Sequence, residues 1–153
     1  MLTERDAARR VTYANGYLPV TDGVELRPAF DTHTAGSQFA RVENAADGRW
    51  LVAGDNVYTY QNVEGLRGDG ALEPIGTSTG SQSVWLDTID DALAWVGRDT
   101  SRVLPFHEAE LFRRFASREY PDGLHVAEIS LAGGHASVLT AAGDIEGTAP
   151  RHG

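Results

Sequence analysis

Residues 39–53 read FARVENAADGRWLVA, and this stretch predicts the centre of the fold. Apolar and polar side chains alternate over residues 39–43, as they do in a strand with one buried face. Asp47-Gly48 then supplies a dipeptide typical of hairpin turns, and residues 49–53 form a second, mainly apolar run. The stretch therefore predicts two neighbouring antiparallel strands.

Strands on either side extend this hairpin into a meander. A second turn dipeptide, Asp22-Gly23, separates residues 17–20 from residues 24–26. Pro19 has no amide hydrogen to donate to a ladder, which places the first of these strands at a sheet edge. Residues 57–61 alternate again, and we expect them to form the last strand of the meander.

The rest of the chain is predicted to form a loop, helices and a final hairpin. Residues 62–83 are rich in Gly, Ser, Thr and Asn and lack periodicity, so we expect a long flexible loop there. The other predicted elements are a helix over residues 3–11, a strand over 83–86, helices over 88–96 and 105–118, and a hairpin of 124–131 with 136–141.

This element order predicts an α+β fold, because strands neighbour strands and helices neighbour helices. We expect a mainly antiparallel sheet, made of the meander plus a C-terminal hairpin, with two or three helices packed on one face. A length of 153 residues suits a single domain over residues 1–153. The tail over residues 143–153 is small and polar, and we expect it to fray.

The charge of the chain narrows the classes of partner. Twenty-two carboxylates oppose thirteen basic residues, all of them arginine, which gives a formal net charge of −9. A phosphate backbone or an acidic membrane surface is repelled by such a field, whereas a basic protein is attracted. We therefore expect a basic protein partner, no nucleic acid and no membrane. The use of arginine in place of lysine indicates a bacterial or phage genome rich in G and C.

No segment of the chain predicts secretion, membrane insertion or a bound cofactor. The chain has no cysteine, no apolar run near the ~20 residues of a membrane span, and charged residues from Glu4 onward. It carries no complete catalytic motif and no cofactor fingerprint. We expect a cytoplasmic protein without a cofactor.

Two short motifs resemble catalytic signatures but are incomplete. His107-Glu108 resembles the start of a His-Glu-x-x-His zinc site, but Leu111 stands where the second histidine is needed. Residues 76–80 match Gly-x-Ser-x-Gly, but a polar tract follows in place of the helix that a nucleophile elbow requires. Neither motif predicts a catalytic site here.

A histidine and aspartate set supports one enzymatic alternative. Asp31 and His33 lie two residues apart, a spacing that suits two metal ligands or a base and the group that orients it. His125 and His135 lie on the two arms of the predicted final hairpin. If the fold brings these four side chains together, they form the site of a metal-dependent or His/Asp hydrolase.

The main functional hypothesis is a small acidic protein-interaction module, such as an inhibitor or immunity-type protein that neutralises a basic partner. Opposite fields speed association, and an aromatic anchor with a charged rim is typical of a protein-binding site. The residues expected to form this surface are Asp55, Trp85, Asp87, Asp90 and Asp91. A structural subunit of a phage virion or assembly is a further alternative.

Overall fold

The computed structural model describes residues 16–44, 47–76, 79–131, 135, 137 and 139. The predicted helix over residues 3–11, most of the predicted 136–141 strand and the predicted frayed tail lie outside the described residues.

A five-stranded sheet forms the centre of the described chain. Its strands are β1 (Leu18–Thr21), β2 (Val24–Pro28), β3 (Gln38–Asn44), β4 (Gly48–Gly54) and β5 (Val103–Pro105), in the spatial order β1-β2-β3-β4-β5. Each pair is antiparallel except β4 and β5, which run parallel. The two predicted turn dipeptides lie where expected, and β1 with its proline is an edge strand.

Helices and a separate hairpin complete the fold. The helices are α1 (Gln61–Glu64), α2 (Gln82–Trp95) and α3 (Leu111–Arg114), with a short 3-10 turn at Thr100–Arg102. A two-stranded sheet pairs β6 (Ala116–Glu119) with β7 (His125–Glu128). This architecture confirms the predicted α+β class with a mainly antiparallel sheet.

One face of the sheet builds the core with α2. Phe39, Leu51 and Val103 from three adjacent strands are buried in one cluster with residues of the helix. From α2 the cluster receives Trp85, Ile89, Ala92 and Leu93, which recur at the spacing of one helix face. Each large apolar side chain buried this way stabilises the fold by about 1.5–3 kcal/mol.

The strand predicted over residues 57–61 is wrong. Residues 57–60 are irregular and lead directly into α1. The reason is local competition for backbone hydrogen bonds, since the Asn62 side chain accepts from the amides of Tyr58 and Thr59. The amide of Tyr60 donates to the Glu108 carboxylate instead of to a neighbouring strand.

The second half of the chain differs from the prediction at three elements. Residues 83–86, predicted as a strand, form the first turns of α2, because Trp85 shares a helix face with Ile89 and Leu93. The predicted helix over 105–118 is reduced to α3, since the strand pairing of β5 extends to Pro105 and β6 begins at Ala116. The strand β7 pairs with β6, a pairing that the sequence does not predict, while most of the 136–141 strand predicted as its partner lies outside the described residues.

The loop predicted over residues 62–83 is shorter than expected, because its first residues belong to α1 and its last residues belong to α2. Between these helices, the described residues 65–76 and 79–81 form neither helix nor strand. In the described part of the chain, no helix is both long enough and apolar enough to cross a membrane.

Candidate functional site

Two polar side chains follow the parallel strand pair at the point where each strand ends. Asp55 comes directly after β4, and His107 comes two residues after β5. Because β4 and β5 run parallel, their carboxyl ends meet at one edge of the sheet. The Nε2 atom of His107 lies 3.0 Å from Oδ1 of Asp55, and the two side chains are 56% and 47% exposed. The edge therefore holds an imidazole–carboxylate pair that a ligand can reach.

Tyr58 lies between this pair and a second histidine. Its ring packs edge-to-face against the ring of His107, with centroids 4.8 Å apart. Its hydroxyl oxygen lies 3.3 Å from Nδ1 of His33, whose ring is also edge-to-face with Tyr58 at 5.6 Å. The structure thus places His33, Tyr58, His107 and Asp55 in one continuous row of contacts.

Two buried polar residues fix the loops that carry this row. Thr32 and Asn56 are almost fully buried, and the Thr32 hydroxyl lies 2.5 Å from Oδ1 of Asn56. The Asn56 amide nitrogen donates to the carbonyl groups of Gln38 and Ala53. Since Thr32 precedes His33 and Asn56 follows Asp55, this buried contact sets the position of the histidine relative to the aspartate.

The segment before α2 holds the His33 loop from the other side. The amide of Ser81 donates to the Asp31 carbonyl at 2.7 Å, and the amide of Thr79 donates to the His33 carbonyl at 3.4 Å. Between them, Gly80 lies so close to the Thr32 carbonyl that a Cβ atom at this position collides with it. The second glycine of the Gly-x-Ser-x-Gly match is therefore a close-packing residue, while Ser78 lies outside the described residues.

The backbone around His107 is held against the chain that follows β4. The amide of Phe106 donates to the Val57 carbonyl at 3.1 Å, and the amide of His107 donates to the Tyr58 carbonyl at 3.0 Å. Glu108 uses its carboxylate oxygens to accept from the amides of Tyr60 and Glu110. Glu108 thus stabilises the turn by accepting backbone hydrogen bonds, which agrees with the expectation that His107-Glu108 is not a His-Glu-x-x-His zinc site.

A cluster of charged side chains joins α1 to α3 and includes Tyr60, the residue that directly precedes α1. The Arg114 guanidinium lies 3.4 Å from the ring centroid of Tyr60 and makes two hydrogen bonds to the Glu64 carboxylate, at 2.6 and 2.8 Å. These bonds lower the pKa of Glu64. Burial raises the pKa of Tyr60 to about 12, and its hydroxyl has no hydrogen-bond partner among the described residues.

The four predicted catalytic residues do not come together as a group. His33 contacts Tyr58, and Asp31 is an exposed residue with a positive φ of 57°. His125 stacks on Phe112 beside the hairpin, with centroids 3.8 Å apart, and His135 is exposed. Among the described residues, no three His, Asp or Glu side chains are close enough to hold a metal ion by themselves.

The predicted protein-binding surface lacks its aromatic anchor. Trp85 is fully buried, and its indole nitrogen donates to the Asn56 carbonyl at 2.7 Å. Asp90 is committed to Arg98 through two hydrogen bonds of 2.8 and 2.9 Å, which lower the pKa of its carboxyl. The helix begins at Gln82 rather than near the aspartates, so these carboxylates do not lie at its N-terminus.

The remaining aspartates of the predicted surface are divided between two places. Asp87 and Asp91 border a cavity of about 340 Å³ together with Arg27 and Arg41, while Asp55 pairs with His107. The expectation of a basic protein partner stays a prediction.

Solved structures with a similar fold are lactone hydrolases. One is an N-acyl homoserine lactone hydrolase with the product N-hexanoyl-L-homoserine bound at its catalytic metal centre, at 21% identity and a TM-score of 0.49. Another is a B. thuringiensis AiiA mutant with N-decanoyl-L-homoserine bound at its active site, at 21% identity and a TM-score of 0.50. Both alignments cover 65% of this chain and 36% of the other, so the chain spans about a third of their length.

At this identity the similarity establishes the fold alone. No family model and no curated protein matches the chain. The expectation of an inhibitor or immunity-type protein-binding module is contradicted by these comparisons, because the structure that matches with a TM-score of 0.50 holds N-decanoyl-L-homoserine at an active site. The hydrolase alternative fits these comparisons better.

Sequence reasoning misses two members of the row. The motif that contains His107 is incomplete, and the alternation around Tyr58 predicts a strand that does not form. The sequence does contain one signal for both residues. Asp55 and His107 each come just after a short, mainly apolar segment that forms a strand. What the sequence does not contain is the parallel pairing that brings those two strand ends together.

Proposed function

We propose that this chain carries part of the active site of a metal-dependent hydrolase, with Asp55 and His107 as metal ligands and Tyr58 as a hydrogen-bond donor to substrate. The observation that carries the proposal is the 3.0 Å contact between Nε2 of His107 and Oδ1 of Asp55 at the carboxyl ends of β4 and β5. The fold similarity to lactone hydrolases supports it.

The chemistry of the two donors fits a metal such as zinc. Imidazole nitrogen and carboxylate oxygen are typical zinc ligands at about 2.0–2.2 Å, so two of them on one ion lie roughly 3–3.5 Å apart. The contact between His107 and Asp55 matches this separation. When bound, a zinc ion supplies a nucleophilic water at neutral pH and polarises a carbonyl group. Because the described residues hold no complete set of three ligands, we propose that further ligands come from water, substrate or residues outside them.

Tyr58 and His33 contribute orientation and hydrogen bonding. If Nδ1 of His33 donates to the Tyr58 oxygen, the phenolic hydrogen is free to point toward a substrate beside His107. A phenol in this position donates to the oxygen on which negative charge develops during attack on an ester or lactone carbonyl. The buried contact between Thr32 and Asn56 holds this arrangement in place.

The proposal is tested by metal binding before activity. The purified chain is titrated with Zn²⁺ by calorimetry and with Co²⁺ by visible absorption, alongside His107→Ala and Asp55→Asn. His125→Ala serves as the matched control, because this histidine stacks on Phe112 and is not a member of the row of contacts. We expect both site variants to lose at least about tenfold in affinity, as metal-site changes do, while the control binds like the unaltered chain.

Hydrolysis is then measured with N-hexanoyl-homoserine lactone in the presence of zinc. Release of acid from the unaltered chain, lost in His107→Ala and reduced in Tyr58→Phe, supports the proposal. Equal zinc affinity in the unaltered chain and in the two site variants overturns the assignment of Asp55 and His107 as ligands.

A further inference from the structure

Phe106 is the most exposed large apolar side chain in the described part of the chain, at 67%, and it directly precedes His107. The alternation of β5 explains its direction, because Val103 and Pro105 are buried and the next ring therefore points outward. Single exposed apolar side chains are common on protein surfaces, so exposure alone does not distinguish Phe106. What distinguishes it is its position next to His107, a candidate metal ligand.

The backbone of Phe106 is fixed, although its ring is exposed. Its amide donates to the Val57 carbonyl at 3.1 Å, and the following amide donates to the Tyr58 carbonyl at 3.0 Å. These bonds continue from β5 alongside the chain that leaves β4. The ring is thus presented at a defined place next to the site, so little ordering entropy is lost when a ligand binds it.

Phe106 is the outer end of a series of edge-to-face rings. Its centroid lies 5.3 Å from that of His107 with an interplanar angle of 82°, and His107 in turn lies against Tyr58. This geometry is the favoured one for aromatic pairs. An apolar group resting on Phe106 is therefore adjacent to the imidazole that the proposed function assigns to the metal.

We propose that Phe106 is a specificity-determining residue whose ring receives an alkyl or aryl group of the substrate next to the bond that is hydrolysed. This inference rests on the proposed function and adds to it the class of substrate, an ester or lactone with an extended apolar substituent. A protein partner is the weaker interpretation, because the Phe106 ring packs against the polar ring of His107, which in turn contacts Asp55, and so does not belong to a broad apolar patch.

The test separates binding from turnover by using neutral probes that are not hydrolysed under the conditions. Butanamide, hexanamide and octanamide are titrated by calorimetry into the unaltered chain and into Phe106→Ala, Phe106→Leu and Leu124→Ala. Leu124 is the matched control, since it is 56% exposed on the turn of the β6–β7 hairpin. Full burial of each added methylene tightens binding by about fourfold.

We expect affinity to rise with chain length in the unaltered chain, in Phe106→Leu and in Leu124→Ala, and to become nearly independent of chain length in Phe106→Ala. With active protein, kcat/KM for lactones of increasing acyl length follows the same pattern. An equal rise in Phe106→Ala, or no rise in the unaltered chain, overturns the inference. Failure of the proposed function is seen separately, as zinc affinity that does not respond to His107→Ala.

Discussion

The Nε2 atom of His107 lies 3.0 Å from Oδ1 of Asp55, although 52 residues separate them in the chain. Both side chains are close to half exposed, and exposed ion pairs stabilise proteins by only about 0–1 kcal/mol. The parallel pairing of β4 with β5 creates this contact, and solvent screening prevents it from contributing much to folding. The pair therefore adds little to the stability of the fold and leaves both side chains accessible at the sheet edge.

Substitution of either member should leave the fold intact. We expect Asp55→Asn and His107→Ala each to change the free energy of unfolding by less than about 1 kcal/mol, because the pair is exposed and screened. Urea unfolding followed by circular dichroism measures this. A loss above about 3 kcal/mol, as expected when a buried pair is broken, would assign the contact to folding instead.

Gly80→Ala should destabilise the chain and disturb His33. A Cβ atom at position 80 collides with the Thr32 carbonyl and crowds that of Asp31, and overpacking of this kind costs about 1–3 kcal/mol. Gly76→Ala is the matched control, because nothing lies within 4 Å of the place that its added methyl group takes, and we expect a change within about 0.5 kcal/mol.

Urea unfolding of the two glycine variants is the measurement. Zinc titration of the same proteins adds a second readout, because a displaced His33 loop should also alter the site. Equal stability of Gly80→Ala and Gly76→Ala would contradict the close approach of Gly80 to Thr32.

Tyr60 should make the chain sensitive to alkali. Burial raises its pKa from 10.0 to about 12, so its contribution to stability is complete below about pH 10 and is lost as the pH rises toward 12. We expect Tyr60→Phe to flatten this alkaline loss. Near neutral pH the variant should be at least as stable, since the buried hydroxyl has no hydrogen-bond partner to lose among the described residues.

The Tyr60 prediction is checked by urea unfolding across the alkaline range and by absorption of the phenolate. The unaltered chain should show one tyrosine that ionises later than the rest, and Tyr60→Phe should lack it. An unchanged alkaline loss in Tyr60→Phe would assign the sensitivity to another group.

Glu64 should contribute to stability in the opposite pH range. The Arg114 guanidinium lowers the pKa of Glu64 below its ordinary value of 4.5, so its contribution is complete above that value and is lost as the pH falls through the lowered pKa. We expect Glu64→Gln to cost about 1–2 kcal/mol near neutral pH, as for a hydrogen bond to a charged group, and to flatten the acid loss.

Glu43→Gln is the control for the Glu64 prediction. Glu43 pairs with Arg49, but these side chains are 58% and 50% exposed, so we expect a change of less than about 1 kcal/mol. Acid unfolding profiles of both variants make the comparison. Parallel profiles would show that the Arg114 contact adds nothing beyond an exposed pair.

The sequence by itself determined the first four strands and the core face of α2. Asp22-Gly23 and Asp47-Gly48 act within a few residues, and the alternation that follows them sets the side of each strand that is buried. Ile89 and Leu93 lie one helical turn apart within the helix predicted over residues 88–96, and both are buried in the core. These signals are local, so they survive without knowledge of the rest of the chain.

The sequence also identifies two residues of the row of contacts, His33 and Asp55, but it does not predict which side chains they contact. The sequence singles out Asp31 and His33, yet the described side-chain contacts of His33 are with Tyr58 and not with His125 or His135. Asp55 is expected from the sequence to face a protein partner and instead pairs with His107.

Tertiary structure decided the rest, because those outcomes depend on which surface each segment meets. Trp85 favours a strand locally, but it adopts the helix that buries its ring against the sheet. Residues 103–105 pair with β4 as a strand, so the helix predicted to start at Pro105 does not form there. The contact between Asp55 and His107 exists only because that parallel pairing closes a loop of some fifty residues, which no local pattern records.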